Sequence, residues 1–480
     1  MQQSNLAKMI IEQIYTGCLA HGAYYIESNG EAAIIDPLRE VEPYIKKATE
    51  NNAVIKYIFE THFHADFVSG HLDLRKKTGA AIVYGPDAAC QFDCISAVDN
   101  QEFKLGEITI RVLHTPGHTM ESSCFLLIDE TGKEKALFSG DTLFIGDVGR
   151  PDLAQKVKAE LTEDMLAGLL YDSLRNKIMP LANDIIVYPA HGAGSACGKN
   201  MSKETTDTLG NQKKVNYALR QDMTREEFKE AVLTGLVAPP SYFPLNVLMN
   251  IQGYDSIDTV LQRGKHALSP NAFEAAAEET DAIVIDTRDP QLFAKAFIPN
   301  SVNIGIDGNF ATWVGTLITD IKHKILLVTE EGREEEAITR LARVGYDFCI
   351  GYLEGGFNAW QNAGKQVDCI KSVTVNELAD KMAQNNIHII DVRKKSEYDS
   401  EHILEAVNAP LDFMNDSMTK VNKNETAYIH CAGGYRSMIF ISILKARGFN
   451  NLTDVKGGFK AIKESNQFRI TDYVCPSTML

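Results

Sequence analysis

Six residues able to bind a metal recur close together or directly behind apolar stretches. His62, His64 and Asp66 stand within Thr61-His62-Phe63-His64-Ala65-Asp66-Phe67, and His118 closes Thr115-Pro116-Gly117-His118. Asp141 closes Ser139-Gly140-Asp141, and His191 closes Tyr188-Pro189-Ala190-His191. A lone histidine is usually structural, but imidazole nitrogens and carboxylate oxygens become ligands when several converge at strand ends. The set therefore predicts a metal site. A second chemistry is written in Tyr428-Ile429-His430-Cys431-Ala432-Gly433-Gly434-Tyr435-Arg436-Ser437. There a cysteine ends an apolar strand, and a glycine-rich loop leads into a helix. Backbone N–H groups of such a loop form an anion nest, and the helix N-terminus adds positive potential, which together favour a thiolate or a persulfide. Arg436 supplies a further donor.

The elements that must hold these groups are short apolar runs followed by turns. Ala32-Ala33-Ile34-Ile35-Asp36, Ile55-Lys56-Tyr57-Ile58-Phe59, Ala81-Ile82-Val83-Tyr84 and Ile108 to Leu113 read as strands. A strand end is rigid while the loop after it can aim side chains into a cleft, which suits catalysis. The stretch from Lys203 to Val237 is charged and helix-forming, and Pro239, Pro240 and Pro244 punctuate it, so a domain boundary is expected at residues 250 to 265. Beyond it the chain repeats after about 100 residues. Ile283-Val284-Ile285-Asp286-Thr287-Arg288 matches Ile389-Ile390-Asp391-Val392-Arg393, and Tyr352-Leu353-Glu354-Gly355-Gly356-Phe357 matches Val455-Lys456-Gly457-Gly458-Phe459. Amphipathic stretches at Glu334 to Leu341 and Ser437 to Leu444 alternate with the strands, so each repeat should hold a mostly parallel sheet.

At about 100 to 200 residues per domain, a chain of 480 residues suggests three units. A formal net charge of −16 argues against a nucleic-acid partner. Met1 to Lys8 has no apolar core of signal-peptide length, and no run of about 18 apolar residues occurs, so a soluble cytoplasmic protein without membrane contact is expected. The nine cysteines, at positions 18, 90, 94, 124, 197, 349, 369, 431 and 475, are odd in number and lack C-x-x-C spacing. Reduced thiols are expected rather than a disulfide framework.

Over roughly residues 8 to 200 the candidate ligands resemble the metallo-β-lactamase superfamily, whose H-x-H-x-D-H signature appears here from His62 to Phe67 and whose other ligand elements follow in the same order. The departure is Phe67. It stands where the signature has a histidine that, with the preceding aspartate, helps to hold a second ion, and phenylalanine cannot bind a metal. Paired zinc ions favour hydrolysis, because two cations can activate water and stabilise the departing anion. Two histidines and one carboxylate on one face of a single ion leave open positions, the arrangement of non-haem iron that activates oxygen. With Phe67 the chain resembles the persulfide dioxygenase branch. That resemblance implies one Fe(II) per chain held by His62, His118 and Asp141, O2 as co-substrate, and His64, Asp66 and His191 ordering the groups around the metal.

Residues 370 to 470 resemble a rhodanese domain, through the Cys431 loop together with Asp391-Val392-Arg393, Glu401-His402-Ile403 and Gly457-Gly458-Phe459. The first repeat resembles an inactive one. Its loop reads Leu327-Val328-Thr329-Glu330-Glu331-Gly332-Arg333-Glu334, with no cysteine and with acidic side chains that would repel a sulfur anion. Cys349 lies too far downstream to substitute, and a spacer or docking surface is the role left for this repeat.

The resemblance thus covers an α/β multidomain chain: an αββα sandwich over residues 1–250, an inactive rhodanese-like domain over 265–368 and an active one over 370–480. It implies oxidation of a low-molecular-weight persulfide to sulfite, and sulfur transfer through a Cys431 persulfide to give thiosulfate, a reaction pair of sulfide detoxification. The partners implied are the small-molecule persulfide, sulfite and thiosulfate, with a homo-oligomer expected.

Two further residues have two readings each. Arg150, in Gly146-Asp147-Val148-Gly149-Arg150-Pro151-Asp152, could grip a substrate carboxylate or phosphate, or form an internal salt bridge with Asp152. Cys197, in a small-residue loop with Lys199 nearby to lower its pKa, could guide or accept sulfur, or be a buried bystander. Arg436 is expected to act catalytically with Cys431. Cys18 and Cys124 sit in strand-like contexts as small hydrophobes. The rival functions are a zinc thioester hydrolase resembling glyoxalase II and a non-enzymatic persulfide sensor signalling through Cys431.

Overall fold

A computed structural model describes residues 9–153, 161–199, 201–236, 238–384 and 387–475. The chain divides into two units, residues 1–257 with 342–345 and residues 258–341 with 346–480. The first unit is built on two six-stranded sheets. One runs in chain order through β1 (Ile10–Thr16), β2 (His21–Ser28), β3 (Glu31–Ile35), β4 (Val54–Phe59), β5 (Ala81–Tyr84) and β6 (Ile95–Ser96), antiparallel up to β3 and parallel after it. The other comprises β7 (Glu102–Leu105), β8 (Ile108–His114), β9 (Ser123–Ile128), β10 (Glu134–Gly140), β11 (Ile186–Pro189) and β12 (Asp207–Thr208), antiparallel except for the β10–β11 pair.

Because side chains alternate across a strand, each sheet presents two faces. Tyr24, Ile26, Ile35, Phe59 and Val83 of the first sheet meet Ile108, Ile110, Phe125, Leu127 and Phe138 of the second in one buried cluster. The opposite face of the first sheet, with Ala23, Tyr25, Ile34 and Ile58, is covered by Tyr44 and Leu74 of the helices Glu42–Glu50 and His71–Thr78. The opposite face of the second carries Leu113, Leu126 and Leu137 under Leu170 and Phe228 of the helices Glu163–Ser173 and Arg225–Leu233. Helix, sheet, sheet, helix is the layer order. Both sheets are therefore buried on two sides, and the loops at their ends are where polar groups gather.

The second unit holds two five-stranded sheets of one topology. The first orders β13 (Ala267–Leu268), β17 (Cys349–Leu353), β16 (Ile325–Val328), β14 (Ile283–Asp286) and β15 (Val302–Asn303); the second orders β18 (Lys371–Val373), β22 (Leu452–Val455), β21 (Ala427–His430), β19 (His388–Asp391) and β20 (Val407–Asn408). All their pairings are parallel. The repeated sequence landmarks turn out to be one structural device. Arg288 grips Asp286 from the end of β14 and lies 3.9 Å over the ring of Phe357, while Arg393 grips Asp391 and lies 3.8 Å over Phe459. In each case an ion pair capped by an aromatic face ties β14 or β19 to the Gly-Gly-Phe turn that follows β17 or β22.

Two expectations about cysteines are corrected. Cys90 and Cys94 form a disulfide in the loop between β5 and β6, where their Cα atoms come within 6.7 Å, a reach that a four-residue spacing allows. Cys18 is half-buried in a turn between β1 and β2 rather than in a strand, whereas Cys124 is buried on β9 as expected. Among the described residues, no helix is long and apolar enough to cross a membrane.

Candidate metal centre and thiol site

The loops that leave β4, β8, β10 and β11 bring all six candidate ligands together in the first unit. His62, His118 and Asp141 form one buried group, and His64, Asp66 and His191 form another, each with its ligand atoms within 4.8 Å of one another. Hydrogen bonds aim the rings. The Thr61 hydroxyl donates to Asp36 Oδ2 at 2.8 Å, so the 3.0 Å contact between Thr61 Oγ1 and His62 Nδ1 has the imidazole as donor. His118 Nδ1 likewise faces the Arg150 carbonyl at 2.8 Å. With Nδ1 protonated on both rings, the Nε2 lone pairs point inward, 3.8 and 3.4 Å from Asp141 Oδ2.

The electrostatics fit a cation. Both oxygens of Asp141 are buried without a hydrogen-bond partner, and so are Asp66 Oδ1 and His191 Nε2. Burial, and then the neighbouring Asp66, push the Asp141 carboxyl well above the ordinary carboxylate range, and burial raises Asp66 to about 6. Burial also holds His118 and His191 down at about 4, so the imidazoles are neutral and ready to coordinate. A buried carboxylate with no donor is costly, and a cation between these groups removes the cost. The chemistry of the donor set therefore suits a bound metal.

Phe67 has 0% exposure, and its ring lies 4.3 Å from the rings of both His21 and His64. It fills the wall beside the second triad with hydrocarbon. His64 is also engaged on its far side, with Nε2 3.1 Å from Asp36 and 3.6 Å from Glu60. Asp36, Glu60 and His21 were not singled out from the sequence. Asp36 and Glu60 each directly follow a buried strand of the first sheet, β3 and β4, and a carboxylate at the end of an apolar strand was the available signal. Burial raises Asp36 to about 6 and Glu60 well above its ordinary value.

The geometry around the flanking residues bears on their two readings. Arg150 is buried and forms a bidentate pair with Asp152, Nε to Oδ1 and NH2 to Oδ2 both at 2.6 Å, so the internal salt bridge is realised and that fork is not offered to a substrate. Cys197 is buried and groups with Asp141 and His191 as a third set of convergent donors. Lys199 does not activate it: the ammonium donates to the carbonyls of Ala231 and Thr234, at 2.6 and 2.8 Å. Burial, and after it the charges of Asp66 and Asp141, drive the Cys197 thiol well above its ordinary value.

Cys431 directly follows β21 in the second unit, with 1% exposure. The Gly434 amide donates to its sulfur at 3.1 Å, and Gly434, at φ +107°, adopts the left-handed turn that lets the loop curl around the thiol before the helix Tyr435–Ala446 begins. The Ser437 hydroxyl lies 3.8 Å from the sulfur. Arg436 forms a bidentate pair with Glu397, at 2.6 and 2.9 Å, instead of presenting a free fork to the sulfur. In the first repeat, Arg333 of the matching loop pairs with Asp307 and Glu336, and Cys349 is buried on β17.

Sequence comparisons agree with this layout. Residues 16–191 match the profile of the metallo-beta-lactamase superfamily, and residues 269–363 and 374–465 each match that of the rhodanese-like domain. A probable hydroxyacylglutathione hydrolase of Schizosaccharomyces pombe is 31% identical over 37% of this chain, which spans 66% of that relative's length, just under two thirds. The hydroxyacylglutathione hydrolase GloC of Haemophilus influenzae is 30% identical over 35% of this chain and 83% of its own length. A crystal structure of a metallo-beta-lactamase from Staphylococcus aureus is 31% identical, with a TM-score of 0.62, covering 73% of this chain and 99% of that one. The chain belongs to the metallo-β-lactamase superfamily and carries two rhodanese-like domains behind that metal-binding fold.

Proposed function

We propose that the protein oxidises a low-molecular-weight persulfide with O2 at a single non-haem iron, and that Cys431 carries sulfane sulfur to sulfite to give thiosulfate. The observation that carries this reading is Phe67, a buried ring against His64 at the place of a second-site ligand. His62, His118 and Asp141 would hold the ion. Ferrous iron bound by two histidines and a carboxylate supplies vacant positions for a sulfur anion and dioxygen. The chain's own part is to keep His62 and His118 as neutral Nε2 donors, through Thr61 and the Arg150 carbonyl, and to exclude water around Asp141. The net reaction balances as RSSH + O2 + H2O → RSH + HSO3⁻ + H⁺.

At the second site, the Gly434 amide and the start of the helix stabilise negative charge on the Cys431 sulfur, whether thiolate or persulfide. Attack by sulfite on the outer sulfur of a Cys431 persulfide forms thiosulfate and returns the thiolate. We place the protein in the cytoplasm, acting on small molecules rather than on nucleic acid or membrane.

A second reading, a zinc thioester hydrolase, is favoured by the names of the relatives and by the second triad of His64, Asp66 and His191. One pair of measurements separates the two: metal content of anaerobically purified protein, and persulfide-dependent oxygen uptake against thioester hydrolysis without oxygen. One iron per chain with oxygen uptake supports oxidation. Two zinc ions with anaerobic hydrolysis would remove it.

A further inference from the structure

The first rhodanese-like domain has no cysteine in its loop, yet two of its segments reach the residues around Cys431. Tyr435 follows the glycine pair of the Cys431 loop and opens the next helix; its hydroxyl donates to the Gly305 carbonyl at 2.7 Å. The ring lies against Gly308 so closely that a Cβ there would stand 2.4 Å from Cε2 and from Cζ, and one at Gly305 would stand 3.2 Å from Cε2. Neither glycine has a positive φ, so at Gly308 it is the aromatic ring and not the backbone conformation that opposes a side chain, while at Gly305 the ring would need to give by only a few tenths of an ångström. Arg340 holds the same turn by donating to the Ile306 carbonyl.

The second segment makes a separate contact. Gln291 Nε2 donates to Asp454 Oδ2 at 2.9 Å, while Asp454 Oδ1 accepts from the Ser437 hydroxyl at 3.0 Å, and that hydroxyl is the one beside the Cys431 sulfur. Asn303 adds a bond from its amide to Ser442, on the helix that Tyr435 begins.

We infer that the cysteine-less domain is a positioning element for the thiol site: its 305–308 turn seats Tyr435, and its Gln291 orients Asp454 and Ser437, so that together they hold the Gly434 amide and the Ser437 hydroxyl on Cys431. This rests on the reading of Cys431 as the sulfur-carrying thiol, but it concerns loop geometry and can be tested without sulfur transfer. Tyr435 and Gln291 act through the loop and do not touch the reacting sulfur.

The full-length protein is compared with Gly308→Ala, Tyr435→Ala, Tyr435→Phe and Gln291→Ala, and the rate of Cys431 alkylation by iodoacetamide is followed against pH, with a background of the other thiols set by Cys431→Ser. Displacing the loop withdraws the Gly434 donor, so Gly308→Ala and Tyr435→Ala should move the alkylation profile upward by about half a pH unit or more. Thiosulfate-forming kcat should fall about tenfold, with KM changed less, because loss of the Gly434 N–H bond to a charged sulfur is felt in the reacting state. Tyr435→Phe keeps the ring in its seat and should lose less than Tyr435→Ala. The double variant Gly308→Ala with Tyr435→Ala should be no worse than Tyr435→Ala alone, because the collision needs the ring. An unshifted profile in Gly308→Ala, Tyr435→Ala and Gln291→Ala proteins that melt as the parent does would overturn the inference, as would full additivity in the double variant. If the profile shifts while the parent protein transfers no sulfur, the positioning stands and the proposed sulfur-transfer function fails.

Discussion

Replacing Phe67 by histidine should turn a one-ion centre into a two-ion one. The position has 0% exposure and packs against two imidazoles at 4.3 Å, so the new ring enters a closed wall beside His64, Asp66 and His191. In metal-free protein it loses apolar contact and buries nitrogens without full partners, at a cost of roughly 2–3 kcal/mol. For a unit of this size 1 kcal/mol corresponds to roughly 2–4 °C, so the melting transition of the first unit should fall by about 4–12 °C. A second ion at a hundred times its Kd restores about 2.7 kcal/mol, which brings the transition back close to that of the parent. Elemental analysis after desalting and thermal melts with and without added Zn(II) or Fe(II) report the two effects. The expected result is one ion per parent chain, two per Phe67→His chain, and recovery of the melt only with metal. The reasoning is refuted if the parent already holds two ions, or if the variant still holds one and its transition does not recover.

Cys431→Ser should abolish thiosulfate formation while sulfite production and oxygen uptake persist; equal loss of both products would contradict the division of labour between the two units. His118→Ala or Asp141→Ala should leave the protein without bound metal and without oxygen uptake, and oxygen consumption by a metal-free variant would overturn the ligand assignment. Chelation should lower the transition of the first unit by about 5–11 °C if the ion was present at a hundred times its Kd, since the roughly 2.7 kcal/mol of linkage is then withdrawn; an unchanged melt would mean no tightly held ion.

Acid should weaken the metal-free first unit. Burial holds His21, His118 and His191 at about 4, below the ordinary value, so the stability they contribute is complete above about 6.5 and is lost as the pH falls through 4. Asp36 and Asp66, raised by burial to about 6, act in the opposite sense: their contribution is complete below the ordinary carboxylate value and is lost as the pH rises through 6. Burial lowers His62, His64 and His71 as well and raises Glu60 and Asp141, so six histidines stand against four carboxylates and melts of chelated protein should shift downward between pH 6.5 and 4. A transition that rises over that window would show the balance to be the reverse.

Much of the fold was legible because its signals are local. The strands at residues 32–36, 55–59, 81–84 and 108–113 are short runs rich in apolar residues, and each appears within one residue of those bounds. The repeat was visible because Asp286 and Arg288, like Asp391 and Arg393, are two residues apart in a device that closes on itself. The disulfide of Cys90 and Cys94 was missed because its spacing is not C-x-x-C and its closure depends on how the loop after β5 folds back. Arg150 could be read two ways because composition does not tell whether a guanidinium fork is occupied, and only the 2.6 Å contacts with Asp152 decide it.

By itself the sequence determined which groups could do chemistry and at what kind of place: nitrogens, carboxylates and a thiol at the ends of apolar strands, with a glycine-rich nest behind Cys431 and an aromatic ring at position 67. These follow from residue type and from spacing within one turn or one strand. Only the tertiary structure decided which atoms face one another. Asp36 reaches Thr61 across 25 residues to set the His62 ring, Lys199 turns away from Cys197, and Gly308 receives a ring from a domain more than a hundred residues onward. Such juxtapositions arise from the packing of separate elements, and burial then sets the charge states, so neither is written in the order of the residues alone.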